Sequence, residues 1–479
     1  MKSIVNATLA LCSLTVFVSI GLADIPAWRV GHNGIYDATN PPVDWEASQL
    51  FEIPIETTSN GTPILVDGKL FYTADPDQLV CADARTGETL WSRSNNLLEL
   101  SDLGPEKRKS IATHQSRIDS KNRQYQRLRS DIRRLERALE RDDSNDTAKK
   151  SLAQKRPEME KVDKELKALR SDKTFRRFVT PPAHNTNGYS SYSPVSDGKR
   201  VYVAFGLGVV VAYDLDGNRV WSEFIEHPDH NWGGATMPQL IDGKLILRFD
   251  DYWALDPATG KRLWNTDSDV IFGTPTPFEV EGQTFLFTSR GEIIRASDGK
   301  RIHEELVFLH QSRDWSIFNT PTLVGDIIYT VSGVEGDNGD AYAYRIPKDL
   351  DTLMKKGPEL VWHTQVPKNR YYSSALVRDG LVYIVTRDNE LSVLEADTGE
   401  IVYTEKVKGA KGTAYPSMVA AGDKLYLGID DGTLVVIEPG REYKEIARNR
   451  FGTFRSTPIF DGSVAYLRAY EKLVAAGSL

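Results

Sequence analysis

Cysteine is almost missing from this chain. Cys12 and Cys81 are the only two in 479 residues, so there is no disulfide framework, no Cys-Cys pair and no Cys-x-x-Cys-His haem-attachment motif. A basic excess is missing as well. The formal net charge is −8 and the isoelectric point near 5.7, which argues against general nucleic-acid binding. No Ser/His/Asp nucleophile motif and no Gly-rich phosphate loop occurs. Past residue 23 no apolar run is long enough to span a membrane.

The one long apolar stretch opens the chain. Lys2 precedes Ile4 to Ile20, and Gly21-Leu22-Ala23 supplies the small residues of a cleavage site, so residues 1–23 are read as a secretory signal and the mature protein as exported to the periplasm or cell envelope. A membrane anchor is the alternative reading. Leu11 before Cys12 is not the small residue that a lipoprotein signal wants, so no lipid is expected. Cys81 then remains as the sole cysteine, and its place in an apolar strand points to packing rather than to a reactive thiol.

What the chain does have is repetition. Apolar segments run into two-residue turns at Asp67-Gly68, Asp197-Gly198, Asp242-Gly243, Glu281-Gly282, Gly325-Asp326, Asp379-Gly380, Gly422-Asp423 and Asp461-Gly462. Such turns join the strands of tight hairpins because Asp-Gly supplies positive φ angles. Spacings cluster near 39 to 45 residues, about four short strands per unit, the period of a radial β architecture. A second motif follows each hairpin: Ala82-Asp83-Ala84-Arg85-Thr86-Gly87 with Trp91, Ala212-Tyr213-Asp214-Leu215-Asp216-Gly217 with Trp221, and Ala254-Leu255-Asp256-Pro257-Ala258-Thr259-Gly260 with Trp264. Later copies weaken to Ser297-Asp298-Gly299 with His303 and Ala396-Asp397-Thr398-Gly399 with Tyr403, while the fifth keeps Trp362 behind a longer insert.

In these residues the chain resembles the PQQ-like propeller family, whose units carry an Ala-x-Asp-x-x-Thr-Gly-x-x-x-Trp element with the Trp docking blade on blade. The resemblance runs from about residue 45 to the end with one interruption. It implies an all-β, eight-bladed propeller of four-stranded antiparallel blades. The family includes BamB-type outer-membrane assembly lipoproteins and quinoprotein alcohol dehydrogenases, so membership alone does not fix an activity.

The last unit stops at Leu479 without a fourth strand, and Leu50 to Ile55 is placed to supply it from the N-terminal side, with Pro54 tolerated on an edge. Residues 24–103 therefore hold the closing strand and first blade, and 178–479 the remaining blades. Between them, 104–177 lack β character. Ile111, Ile118, Tyr125, Ile132 and Leu139 recur every seven positions, joined by Leu128 and Leu135, and a second run holds Leu152, Met159, Val162, Leu166 and Leu169. This pattern predicts an antiparallel helical coiled-coil hairpin with a turn at Asp142 to Asp146 and with Pro157 kinking or starting the second helix. The segment holds 23 Lys and Arg against 13 Asp and Glu, about +10, leaving the rest near −18. It reads either as a solvated helical surface or as a docking arm for an acidic partner, anionic lipid or cell-wall polymer.

Tight turns crowd one face of such a ring, and the longer loops between blades collect on the other. There lie His184, His227, His230, Trp232, His310, Arg313, Trp315, Arg370, Tyr371 and Arg455. These are the candidate ligand or partner residues, the arginines as charge partners and the tryptophans as stacking surfaces. Loop packing is the alternative account. The histidine spacing does not guarantee a tetrahedral zinc site, and Asp337-Asn338-Gly339-Asp340 lacks the downstream Glu of a calcium loop, so no metal is expected.

The resulting expectation is an exported, non-catalytic binding or assembly scaffold without a cofactor. Its partner would be a protein or anionic envelope polymer, with a small polar ligand at the channel mouth. A PQQ- and calcium-dependent dehydrogenase is the alternative that the resemblance implies, and the missing Cys-Cys pair weighs against it.

Overall fold

The computed structural model describes residues 24–478 except 229, 231, 233, 235, 270 and 304–317. The expected signal at 1–23 and the candidates His310, Arg313 and Trp315 lie outside the described residues. Within them the chain forms eight separate sheets, each with four strands paired antiparallel to their neighbours, and Ile35–Tyr36 adds a fifth, parallel strand beside Val419–Ala421 of the seventh. This is the architecture of a β-propeller.

Each sheet is a meander. The first runs Ile64–Val66, Lys69–Ala74, Gln78–Asp83 and Thr89–Ser94, and the second Val195–Ser196, Arg200–Phe205, Val209–Asp214 and Arg219–Phe224. Second and third strands are buried on both faces and read as continuous apolar runs, such as Val201 to Phe205. Fourth strands form the outer rim, where Leu90, Val220, Leu263 and Ile401 stay exposed.

The hairpin turns divide by chemistry. At Asp67-Gly68, Asp242-Gly243, Glu281-Gly282 and Asp379-Gly380 both residues have positive φ, as a type I′ turn requires. At Gly325 and Gly422 only the glycine, in first position, is left-handed, and the last hairpin pivots on Gly462-Ser463 because Asp461 pairs with Val464. Asp197 instead opens a longer loop, its carboxylate accepting from the Lys199 and Arg200 amides at 2.9 and 2.7 Å.

Tryptophan and glycine join neighbouring sheets. Trp91, Trp221, Trp264 and Trp362 donate to the carbonyls of Leu215, Pro257, Ala296 and Ala396 at 3.3, 2.9, 3.0 and 2.8 Å. Each indole lies against the turn glycine of the next unit, where a Cβ on Gly217, Gly260, Gly299 or Gly399 would come within 2.6 to 2.7 Å of the ring. Gln49–Pro54 pairs antiparallel with Lys472–Gly477 and completes the last sheet. Its Phe51 stands over Gly87 of the first unit as the tryptophans do elsewhere, at 2.6 Å from the built Cβ, so the eighth sheet meets the first.

Two helices, Pro105–Arg141 and Asp146–Arg170, fill the interruption. They run antiparallel, as the ion pairs Lys121–Glu165, Asp131–Lys155 and Glu136–Arg156 require. Ile118, Leu128, Val162 and Leu166 form a core with Val179 that is separate from those of the sheets. The second helix starts at the Asn145 cap, whose side chain accepts from the Ala148 amide, and it continues through Pro157. Pro157 therefore does not start the helix.

Candidate functional site

The start of every unit carries a feature that the turn motifs hide. Thr62, Ser193, Met237, Thr274, Thr320, Ser374, Ser417 and Thr457 each sit at the entry to a first strand. Their backbone amides and side chains link sheet to sheet: Thr62 N–H to Ser193 Oγ at 2.9 Å, Ser193 N–H to Met237 Sδ at 3.1 Å, Met237 N–H to Thr274 Oγ1 at 2.9 Å, and Thr274 N–H to Thr320 Oγ1 at 2.9 Å. The Thr320 amide then donates to Ser374 Oγ at 2.9 Å, that of Ser374 to Ser417 Oγ at 3.2 Å, and that of Thr457 to Thr62 Oγ1 at 3.0 Å. The result is a collar of seven hydroxyls and the Met237 thioether around the axis. All of its members except Ser374 and Ser417 precede proline, a signal that could have exposed the repeat in the sequence.

A strap from the N-terminal segment passes inside the collar. Ile25 pairs with Leu65 of the first sheet, Pro26 accepts from the Ser196 amide of the second, and Gly34 accepts from the Ala420 amide of the seventh. Arg29 lies fully buried across the middle, donating through Nη2 to the Ala375 and Asn33 carbonyls at 3.0 and 2.8 Å. Burial without a carboxylate partner pushes its pKa down to about 10. His32 meets Gln239 at 3.1 Å, and burial lowers its pKa to about 4, so its ring is neutral. Trp28 closes the base, its indole N–H donating to Thr457 Oγ1 at 3.3 Å.

Above this base, on the face of the longer loops, opens a cup of about 260 Å³. Its wall is an arc of aromatic side chains. Phe272 stacks on Phe318 at 5.4 Å, Phe318 tilts against Tyr372 at 4.7 Å, and Tyr372 stacks on Tyr415 at 4.5 Å. Arg455 lies over Tyr415 at 3.9 Å and pairs with Asp430 at 3.0 Å. Trp232, Arg370, Asn60 and Asn187 complete the lining.

The structure sorts the sequence candidates. Trp232, Arg370 and Arg455 line the cup. His184 supports it from behind, stacked on Trp232 at 4.0 Å. His227 is turned into Phe224 and lowered to a pKa of about 4 by burial, while His230 packs edge-on against Phe272. Tyr371 does not line the cup: it is buried in the loop between Glu359–Val366 and Leu376–Arg378 with its hydroxyl on the Pro367 carbonyl at 2.6 Å, and Tyr372, one residue on, faces the cup. Neighbouring residues in extended chain point to opposite sides, so an error of one position reverses the face. Sequence reasoning also missed Phe272, Phe318 and Tyr415.

Among the described residues no group of three His, Cys, Asp or Glu side chains converges as a metal site. Cys81 is buried with its thiol pushed up to about 12, which suits packing. Among the described lining residues none is Asp, Glu, His, Lys or Cys. The described lining therefore offers stacking faces, hydroxyls, amides and two guanidinium groups, and no described group in it exchanges a proton near neutral pH.

A family model described as outer membrane protein assembly factor BamB matches residues 208–346 and 330–478. The chain belongs to this family of PQQ-like propellers. Two curated relatives of the same description, from Moranella endobia and Yersinia pestis, are 22% and 21% identical over 296 and 271 residues, which are 57% and 52% of this chain. Those alignments cover 68% and 64% of the relatives' own lengths. The crystal structure of BamB from Moraxella catarrhalis superposes with a TM-score of 0.54 at 9% identity, covering 90% of this chain and 99% of that one. At that identity the likeness concerns the fold.

Proposed function

We propose that this BamB-family chain is an exported, eight-bladed binding scaffold of the cell envelope, and that its cup holds part of a protein or anionic envelope partner. The single observation behind this reading is the cup's chemistry: a blind recess, floored by Trp28 and walled by aromatic rings, with Arg370 and Arg455 and no proton-transfer group among its described lining. Aromatic rings and arginine are the side chains that anchor protein partners. The relatives' description as assembly factors points the same way.

A dehydrogenase using PQQ and calcium fits less well. Calcium sites draw several of their oxygens from carboxylates, and the described lining offers only hydroxyls and the amides of Asn60 and Asn187, with no carboxylate. The chain has no adjacent cysteine pair to cap the quinone, and Cys81 is buried in a sheet.

The test is photo-crosslinking in cells with a reactive residue at Tyr372, and separately at Lys199 in the Asp197 loop on the other face. A discrete adduct from position 372 that disappears with Arg370→Ala and Arg455→Ala supports the cup. An adduct from position 199 alone, or dye reduction by purified protein supplied with PQQ and calcium, overturns the reading.

A further inference from the structure

The longer helix of the insertion carries arginine at 129, 133, 137 and 141, one per helical turn, all exposed. Side chains four apart share a helix face, so the row spans about 18 Å at 1.5 Å per residue. These arginines line one shallow groove together with Gln126, Ser130 and Arg134. The buried Leu128 and Ile132 lie about 100° away round the helix, so the row flanks the seam between the helices and points into solvent. The nearest acids already have partners outside the row: Asp131 pairs with Lys155 at 2.8 Å and with Arg134 of the groove at 3.0 Å, and Glu136 with Arg156 at 2.9 Å. Glu140 stands at the edge of the row and is exposed.

We infer that this arginine row is a docking face for a bilayer surface bearing anionic phospholipid headgroups. Guanidinium groups bind phosphate oxygens in bidentate fashion, and a straight row on a rigid helix matches a plane of them. A protein partner would need an apolar centre to desolvate, and this groove offers only Ala138 among polar and charged side chains. The same lack of apolar side chains makes the contact peripheral rather than inserted. Charge separation within the chain sets the orientation, because the insertion is near +10 and the rest near −18, so an anionic surface attracts the helices and repels the ring. This inference rests on the envelope location proposed above.

The experiment is co-sedimentation of the full chain with vesicles of phosphatidylcholine alone or mixed with phosphatidylglycerol. The chain should pellet with the mixed vesicles only, and added salt should release it. Each arginine lost should weaken association about fivefold, and Arg129→Gln, Arg133→Gln, Arg137→Gln and Arg141→Gln together on the order of several hundred-fold. Glutamine keeps the helix propensity of arginine, so circular dichroism should be unchanged. A control with Lys109, Lys161, Lys164 and Lys173 changed to Gln makes the same charge difference elsewhere and should keep most of the binding. Equal loss in both variants, equal binding to neutral vesicles, or capture of poly-glutamate in place of vesicles overturns the assignment. Vesicle binding should survive Arg370→Ala with Arg455→Ala, so failure here and failure at the cup are separately visible.

Discussion

Trp28 Nε1 donates to Thr457 Oγ1 at 3.3 Å, joining positions 429 residues apart at the base of the cup. The bond ties the strap to the sheet that the N-terminal strand also completes. Changing Trp28 to Phe keeps an aromatic ring but removes the donor and should cost about 1 kcal/mol in urea unfolding. Trp28→Ala also removes the floor and should cost about 2 kcal/mol or more. Unchanged midpoints in both variants would mean that the strap does not help close the ring.

Tryptophan against turn glycine is the repeated joint between sheets, and it can be tested at Trp221, where the ring is buried. Gly260 has φ +74°, and a Cβ there would lie 2.7 Å from the Trp221 ring. Gly260→Ala should therefore cost more than about 1 kcal/mol, since strain and clash add. Trp221→Ala, at a buried ring, should cost about 3 kcal/mol. The pair should be less than additive, because the methyl group added at position 260 no longer meets an indole in the double variant. Strict additivity would place the cost of Gly260→Ala in the backbone alone.

The repeated unit was legible because its signals are local. Asp-Gly turns, Thr-Gly turns and the following tryptophans each report one hairpin or one joint, and their period reports the radial plan. The cup was legible only in part. Trp232, Arg370 and Arg455 stand in polar loops where ligand residues are sought, but Phe272, Phe318 and Tyr415 look like core residues in sequence and become a wall only when separate sheets meet. The hydroxyl collar was hidden for another reason: Thr and Ser before Pro are common in loops, and Met237 interrupts the series. Nothing in the spacing of Arg29 foretells a guanidinium crossing the axis. That placement depends on sheets far from it along the chain.

Stability should fall at alkaline pH. Burial pushes Tyr72, Tyr202, Tyr213 and Tyr403 up to about 12, against about 10 for an unfolded tyrosine. Between those values the unfolded chain has released protons that the native state retains, so each ring lowers stability as pH rises from 10 towards 12. Arg29 and Arg468 act in the opposite sense, because burial pushes each down to about 10 and loss of the buried charge there favours the native state. The tyrosines outnumber them, so the net slope is negative. Melting temperatures should decline above pH 10, with tyrosinate absorbance appearing together with unfolding. Tyrosinate absorbance that rises fully before unfolding would show that these rings ionise in the native state.

Removal of the helical insertion should leave the ring intact. Its helices pack on each other around Ile118, Leu128, Val162 and Leu166, and its two ends stay close, since Arg177 Nη2 donates to Ser101 Oγ at 3.0 Å. Leu97, Leu100 and Phe178, which pack into the first and second sheets, lie outside the excised part when residues 105–170 are replaced by a short Gly/Ser linker. A linker between ends so close adds little closure entropy, and changing its length twofold adds only about 0.6 kcal/mol. Val179 and Phe175 lose their helical neighbours, so a modest drop in melting temperature is expected. Unfolding should remain a single cooperative transition, and the Tyr372 adduct should survive. A broadened or lost transition would show that the helices brace the ring, and that the two sheets flanking the insertion depend on it for their register.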